Sequence, residues 1–329
     1  MWQNLIGGVG LVRKACAIGV LAALGGTASA TDGYPNRPVT LVVPYAAGGG
    51  TDAIARTLAK ALSEEWGQPV LVENRGGADG WLGTQRVLAQ PADGYTLLMQ
   101  LNQIMLWKWT LPEADFDVLR DMRLISKIQE SPMVVTIGGN AAPNTLAEYF
   151  EQCRTASPPC SFGSSTVYAQ LVGRQLMDLG HVENAINAPY KGTAPMVNDL
   201  LGGHIGMALT SATLAVPFEQ DGRIKVLGVG SPQRYARLPK APTLAEAGYP
   251  VRGVTWYGLM VRKDTPDDAF KAIVDGVKKI ATQPDVLAAI ESQGGIPVFG
   301  TPEAFLADVH QEIKTLTPLG DKYLAGAKP

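Results

Sequence analysis

Gly48, Gly49 and Gly50 stand in an unbroken run between an apolar stretch, residues 38–45, and a segment of helical periodicity, residues 52–66. A strand that ends in glycines and opens a helix leaves backbone N–H groups unpaired at the positive end of the helix dipole, where an anion is favoured. Glycine also lets the backbone approach a ligand with no side chain between them. Thr51 and Asp52 follow at the expected helix cap. Ser164, Ser165 and Thr166 make a second strand-to-helix turn, this one carrying hydroxyl donors. Two such turns facing one crevice form a carboxylate clamp, because ligands of open α/β sheets sit at the carboxyl ends of the strands. Spacing excludes two nucleotide sites: no lysine follows the glycines as a phosphate loop requires, and contiguous glycines are not the G-x-G-x-x-G of dinucleotide binding. Taken alone, the first turn is equally consistent with a tight connection that Asp52 merely caps.

The elements that must hold these turns alternate. "PVTLVVPY" and "QPVLVE" are short β-branched runs suited to strands. Between them Ile54, Leu58, Leu62 and Trp66 fall on one helical face. A glycine-rich loop, "NRGGADG", a helix from about Trp81 to Gln90, and "DGYTLLMQ" complete a β-α-β-α-β series, which predicts an α/β fold with parallel strands. A second unit starts after "SPMVVTI" with "PCSFGSST", then a helix carrying Tyr168, Val172, Leu176 and Leu179 on one face. "NAINAPY", "HIGMALT" and "RIKVLGVG" are predicted strands, and "APMVNDLLGG" a helix stopped by glycine. Beyond "VTWYGLMV" the pattern is helical, with Thr265-Pro266 and Thr301-Pro302 each offering an N-cap and a first-turn proline. The tail shows no strand of its own and is expected to pack back on the first sheet. The expected division is 31–134 plus 256–329 for a discontinuous first lobe and 135–255 for a second.

With 329 residues, 46% hydrophobic and 18% charged, the chain can bury a full core. Arg13 and Lys14, the apolar Ala15 to Leu24 and the small residues Ala28-Ser29-Ala30 have the form of a secretory signal peptide cut after Ala30. An anchor on Cys16 is disfavoured because that residue precedes the apolar stretch. Cleavage would carry the net charge from −2 to −4, which is no footprint for nucleic acid. It would also leave two cysteines, Cys153 and Cys160 in "CRTASPPC", most simply a disulfide in an oxidising compartment. His181, His204 and His310 sit at no metal-ligand spacing, and neither metal nor cofactor is expected.

Residues 34–99, from "YPNRPVTLVVPYAAGGGTDAIAR" through "ADGYTLLM", resemble the N-terminal half of the periplasmic solute-binding proteins of tripartite tricarboxylate transporters, the Bug family. "APYKGTAPMVNDLLGGHIGMAL", "PTLAEAGYP" and "TWYGLM" are similar to later signatures of that family, so the likeness runs to the C-terminus. It implies a type II periplasmic-binding-protein (Venus-flytrap) fold of two α/β lobes with a central cleft. It further implies a monomer in the periplasm that binds a small carboxylate, hands it to membrane transporter subunits and performs no catalysis. The family's first binding loop falls on Tyr45, Ala47, Gly48, Gly49, Gly50, Thr51 and Asp52.

The second lobe departs from the family pattern. Members typically carry Ser-Ser-Gly-x-Gly followed by a His-Leu pair, whereas "FGSSTVYAQL" lacks both glycines and has Gln170 in the histidine's place. Arg174 stands where glutamate is common, and Thr210-Ser211 where Asp-Asn is frequent. Gln170, Ser164, Ser165, Thr166, Thr210 and Ser211 are therefore expected to form a neutral, donor-rich wall; Arg174 either pairs bidentately with a second ligand carboxylate or, as the commoner case, lies on the outer face of its helix. Asn102 and Tyr190 complete the expected set, while Lys191 is expected in solvent. Trp81, Trp107 and Trp109 admit an aromatic acid as well as a dicarboxylate, although packing is the commoner role of tryptophan. Two other function classes stay in view. A sensory partner of a membrane kinase would share every feature above. A secreted hydrolase would need a Gly-x-Ser-x-Gly elbow, which is absent from the sequence.

Overall fold

The computed structural model describes residues 33–325; the segment expected to be a signal peptide, with Cys16, lies outside the described residues. From Pro35 onward the described chain forms one compact unit. The first alternating series is β1 (Val39–Val43), α1 (Gly50–Trp66), β2 (Val70–Asn74), a 3-10 turn (Ala78–Gly80), α2 (Trp81–Leu88) and β3 (Thr96–Leu101). β1 pairs in parallel with both β2 and β3, as the alternation predicts. Ile54, Leu58 and Leu62 are fully buried beneath the sheet, which is why α1 lies where it does. A second 3-10 turn (Asn102–Leu106) and the short helices α3 (Trp107–Thr110) and α4 (Val118–Asp121) follow. The stretch around Trp107 and Trp109, loop-like in sequence, is thus helical.

β4 (Met122–Gly138) is a single strand of 17 residues, of which "SPMVVTI" is only the second half. Beyond it come α5 (Leu146–Arg154), β5 (Ser161–Ser164), α6 (Val167–Leu179), β6 (Ile186–Pro189), α7 (Thr193–Leu201), β7 (Met207–Ser211), α8 (Ala212–Gln220) and β8 (Ile224–Val229). β5 runs parallel to β6 and β7, so these strands end on the same side. Tyr168, Val172 and Leu176 are buried on α6 as their spacing predicts, but Leu179 is 39% exposed because the helix ends there, past the edge of the core.

The chain returns through β9 (Val254–Arg262), antiparallel to β3 and β4, and closes with α9 (Asp267–Ile280), α10 (Pro284–Ser292), β10 (Ile296–Pro297) and α11 (Pro302–Tyr323). The tail packs back on the first sheet, through α9 and α10 against α1 and α11 against β4. It does carry a strand: two residues of β10 pair with Gln129 and Glu130, too few to leave a period in the sequence. α9 starts one residue later than its Thr-Pro signal, with Pro266 at the cap and the Thr265 hydroxyl donating to the Arg262 carbonyl. Thr301 caps α11 as expected, accepting from the Ala304 N–H at 3.2 Å.

Two α/β lobes result, and β4 joins them. Its residues Met122 to Pro132 pair with β9, and Met133 to Thr136 pair with β7. Cys153 and Cys160 form a disulfide that ties the end of α5 to the start of β5. Replacing both cysteines by serine should cost about 2 kcal/mol, the loop-closure entropy of so short a ring, read as a lower midpoint in denaturant unfolding. A matching loss on adding reductant to the unaltered protein would confirm the origin.

Candidate functional site

The glycine turn is built from inside. Gly49 is the N-cap of α1 and supplies no side-chain bond, and Ala53 N–H is the first to close on the Gly49 carbonyl. The N–H groups of Gly50, Thr51 and Asp52 meet no backbone acceptor among the described residues. Asp52 is not the cap. Three residues into the helix, it reaches back to accept from the Gly48 N–H at 2.9 Å, in the manner of a capping-box acid. Gly48, at φ +82°, takes the left-handed conformation this return needs. The Asp52 carboxylate also accepts from Arg56 Nε at 3.0 Å and Asn74 Nδ2 at 3.0 Å, which pins the turn to the end of β2.

The other wall is assembled by three parallel strands. At their carboxyl ends α6, α7 and α8 begin, capped respectively by Thr166, Gly192 and Ser211. Thr166 accepts from the Ala169 N–H at 3.1 Å and Ser211 from the Leu214 N–H at 3.4 Å. The Ser165 and Thr193 hydroxyls lie 3.4 Å apart, linking the starts of α6 and α7.

Between these walls lies a cavity of about 550 Å³, lined from α1 by Gly50, from α6 by Ser165 and Thr166, from α7 by Thr193 and from α8 by Ser211 and Thr213. That volume suits a small metabolite. The crossing strands supply the floor: Gln129 and Ser131 from β4, Thr255 and Tyr257 from β9. Among the described residues no Lys, Arg, His, Asp or Glu lines it, and Tyr257, whose hydroxyl burial holds above its usual pKa, is the one ionisable group there. Four helix starts therefore meet a cavity that has donors but no formal charge.

Of the residues anticipated, Gly50, Ser165, Thr166, Thr210 and Ser211 line this cavity. Ala47, Gly48 and Gly49 lie exposed on the turn outside the lining, with Thr51 and Asp52 buried behind it. The Tyr45 hydroxyl bonds Gln100 and Gln103. Asn102 is buried and donates to the Val254 carbonyl and Glu312. Ser164 donates to Asn187, and Tyr190 to Asp199 at 2.6 Å, each turned from the lining. Gln170 sits one helical turn past Thr166, and with its amide oxygen toward Arg174 it accepts from Nη2 at 2.9 Å. Arg174 in turn donates to the Tyr323 carbonyl, half-buried and away from the cavity. Trp81, Trp107 and Phe116 pack edge to face with centroids 5.2 to 5.9 Å apart, and Trp109 donates to Asp321. Gln129, Ser131, Thr193, Thr213, Thr255 and Tyr257 were not anticipated. Period-two alternation about the crossing strands was the available signal: Trp256 is packed on Phe305, so Thr255 and Tyr257 must face the other way.

Two acids near the glycine turn titrate in opposite senses. Burial alone would raise Asp52, but the bonds from Arg56, Gly48 and Asn74 outweigh it and hold the carboxyl below its usual range. Its contribution is present above the unfolded pKa and lost as pH falls through the lower folded value. Burial lifts Asp79, whose Oδ2 has no hydrogen-bond partner among the described residues, to about 6. Its contribution is complete below the unfolded pKa and lost as pH rises through 6. Asp79→Asn should therefore raise the melting temperature at pH 8 and lose that advantage toward pH 4, while Asp52→Asn should lower it at pH 8 and converge on the parent in acid. Melting curves from pH 8 down to below the ordinary carboxylate range test both signs, the Asp79 difference closing above pH 4 and the Asp52 difference only below it.

Comparison with known proteins places this geometry. Residues 54–314 match the description of the tripartite tricarboxylate transporter family receptor. Protein BugT of Bordetella pertussis is 31% identical over 309 residues, covering 91% of this chain and 94% of its own. MatC from Rhodopseudomonas palustris with bound malate superposes with a TM-score of 0.76 at 25% identity, covering 87% of this chain and all of its own. A second R. palustris protein, with adipate, gives 0.78 at 27% identity, covering 88% and 97%. A match over most of the chain, together with a two-lobed fold that has a cavity between its walls, means that the chain belongs to the receptor family of tripartite tricarboxylate transporters.

Proposed function

We propose that this protein captures a small aliphatic dicarboxylate in the cavity between its lobes and delivers it to the membrane subunits of a tripartite tricarboxylate transporter. The observation that carries this is the convergence of α1, α6, α7 and α8 on a cavity without charged side chains. Each helix start presents about half a positive elementary charge, so four together offset roughly two negative charges. That balance favours a dicarboxylate over a monocarboxylate or a neutral sugar. The malate and adipate in two relatives support the same class. An aromatic acid finds no tryptophan in the lining to stack upon.

In this proposal the Gly50 N–H and the hydroxyls of Ser165, Thr166, Thr193, Thr210 and Ser211 hold carboxylate oxygens. Tyr45, Ala47, Gly48, Gly49, Thr51 and Asp52 shape and brace the turn that presents them. Trp81, Asn102, Ser164, Gln170 and Tyr190 pack behind the walls. The lobes are 31–134 with 256–329, and 135–255, a division supported by the change of partners along β4. The protein is exported to the periplasm by a signal peptide cut after Ala30, works as a monomer and catalyses no reaction. Among the described residues no helix is long and apolar enough to cross a membrane.

Thermal-shift screening of the mature chain against mono-, di- and aromatic carboxylates tests the ligand class. A dicarboxylate at 100 times its Kd should stabilise by about 2.7 kcal/mol, whereas a shift with sugars or cations alone would sink the proposal. Because the lining lacks a group that titrates near neutrality, calorimetry at pH 7 in buffers of different ionisation enthalpy should show no net proton exchange. Gly50→Val should abolish binding and leave the fold intact, since its Cβ would stand 3.5 Å from the Tyr257 hydroxyl inside the cavity.

A further inference from the structure

One wall of the cavity is a peptide turn held from the opposite lobe. Ser292 and Gln293, at the end of α10, line the cavity beside Thr213 and Leu214 of α8. α10 packs on α1, and β10 just beyond pairs with Gln129 and Glu130, so this turn is carried by the first lobe. Thr213 opens α8 in the second lobe, and its hydroxyl donates to the Gln293 carbonyl. The Tyr235 hydroxyl donates to the next carbonyl, Gly294, at 3.0 Å. Tyr235 is 6% exposed and packs among Ala212, Ala215, Val216, Leu238 and Val229, all on the second-lobe side.

The turn fits its clasp closely. Gly294 has φ +71°, and a Cβ there would lie 2.1 Å from Thr213 Oγ1 and 2.9 Å from its Cα. No residue but glycine lets the two backbones approach this far. Its own N–H and that of Gly295 are spent inside the turn, on Glu291 and Ile290, so its geometry is fixed before the clasp is made. Both bonds join groups from different lobes, and the first, between Thr213 and Gln293, lies in the cavity lining.

We infer that Gln293–Gly294 is a latch: two consecutive carbonyls of one lobe, gripped by the Thr213 and Tyr235 hydroxyls of the other, hold the lobes in the ligand-retaining arrangement. The inference rests on the proposal that the cavity is the receptor site, and it assigns Tyr235, which touches no lining surface, as a positioning residue. A ligand that needs the closed arrangement binds with an apparent affinity scaled by the closed fraction. Weakening the latch should therefore speed release without altering any contact to the ligand.

Tyr235→Phe removes one hydroxyl and keeps the ring in its core, and Gly294→Ala forces the turn from Thr213. Ligand-free small-angle scattering of the mature protein should give both variants a larger radius of gyration than the parent. With malate or adipate as probe, whichever the parent binds, Tyr235→Phe should raise the dissociation rate about fivefold, the effect of one net hydrogen bond, and leave the association rate unchanged. An unchanged radius of gyration in both variants would overturn the latch and make the contact a fixed pivot, whatever happens to binding. If the variants expand but no carboxylate binds the parent, the latch stands and the carboxylate proposal fails.

Discussion

Unpaired peptide N–H groups at the starts of helices are the constraint on which this structure turns. Each helix must leave its first few donors without intrahelical acceptors. Here α1, α6, α7 and α8 direct that obligation toward one cavity. The consequence is a positive potential made by the backbone, in a space that contains neither lysine nor arginine. A neutral wall of this kind avoids burying a cation, which would be costly whenever the site held no anion. It also leaves the choice of ligand to hydroxyl placement and cavity shape.

The rest of the fold holds these helix starts in register. Parallel strands deliver α6, α7 and α8 to one side because β5 pairs with both β6 and β7. β1 delivers α1 from the other lobe, where Asp52, Asn74 and Arg56 bind the turn to the end of β2. β4 and β9 run between the lobes, and alternation divides their side chains. Gln129, Ser131, Thr255 and Tyr257 face the cavity. Trp256 faces α11, where it meets Phe305 edge to face and donates to Glu312 at 2.6 Å. One pair of strands thus serves as cavity floor and as packing surface for the closing helix.

The second lobe shows how departures from a family pattern can be absorbed. Gln170 and Arg174, conspicuous in sequence because they replace other residue types, satisfy each other along α6, and Arg174 reaches the end of α11. The tryptophans behave likewise, filling the space around Phe116 or lying against Gly320. Unusual side chains at these positions pack behind the cavity, while threonine and serine hydroxyls line it.

Local features in the chain were enough to disclose the alternating α/β order, the two strand-to-helix turns, the disulfide between Cys153 and Cys160 and the family. Each depends on residues near one another: a period of two or 3.6, a run of glycines, a pair of cysteines seven positions apart. The wall residues from β4 and β9 were hidden because they belong to the site through strand pairing over long separations, as when Gln129 meets Tyr257. Asp52 was placed in the right turn, but its partners were hidden, since besides Gly48 and Arg56 its carboxylate accepts from Asn74, 22 residues away. Which face of a strand meets the cavity, and which lobe grips the Gln293–Gly294 turn, followed from packing in three dimensions, because no periodicity records contacts between distant segments.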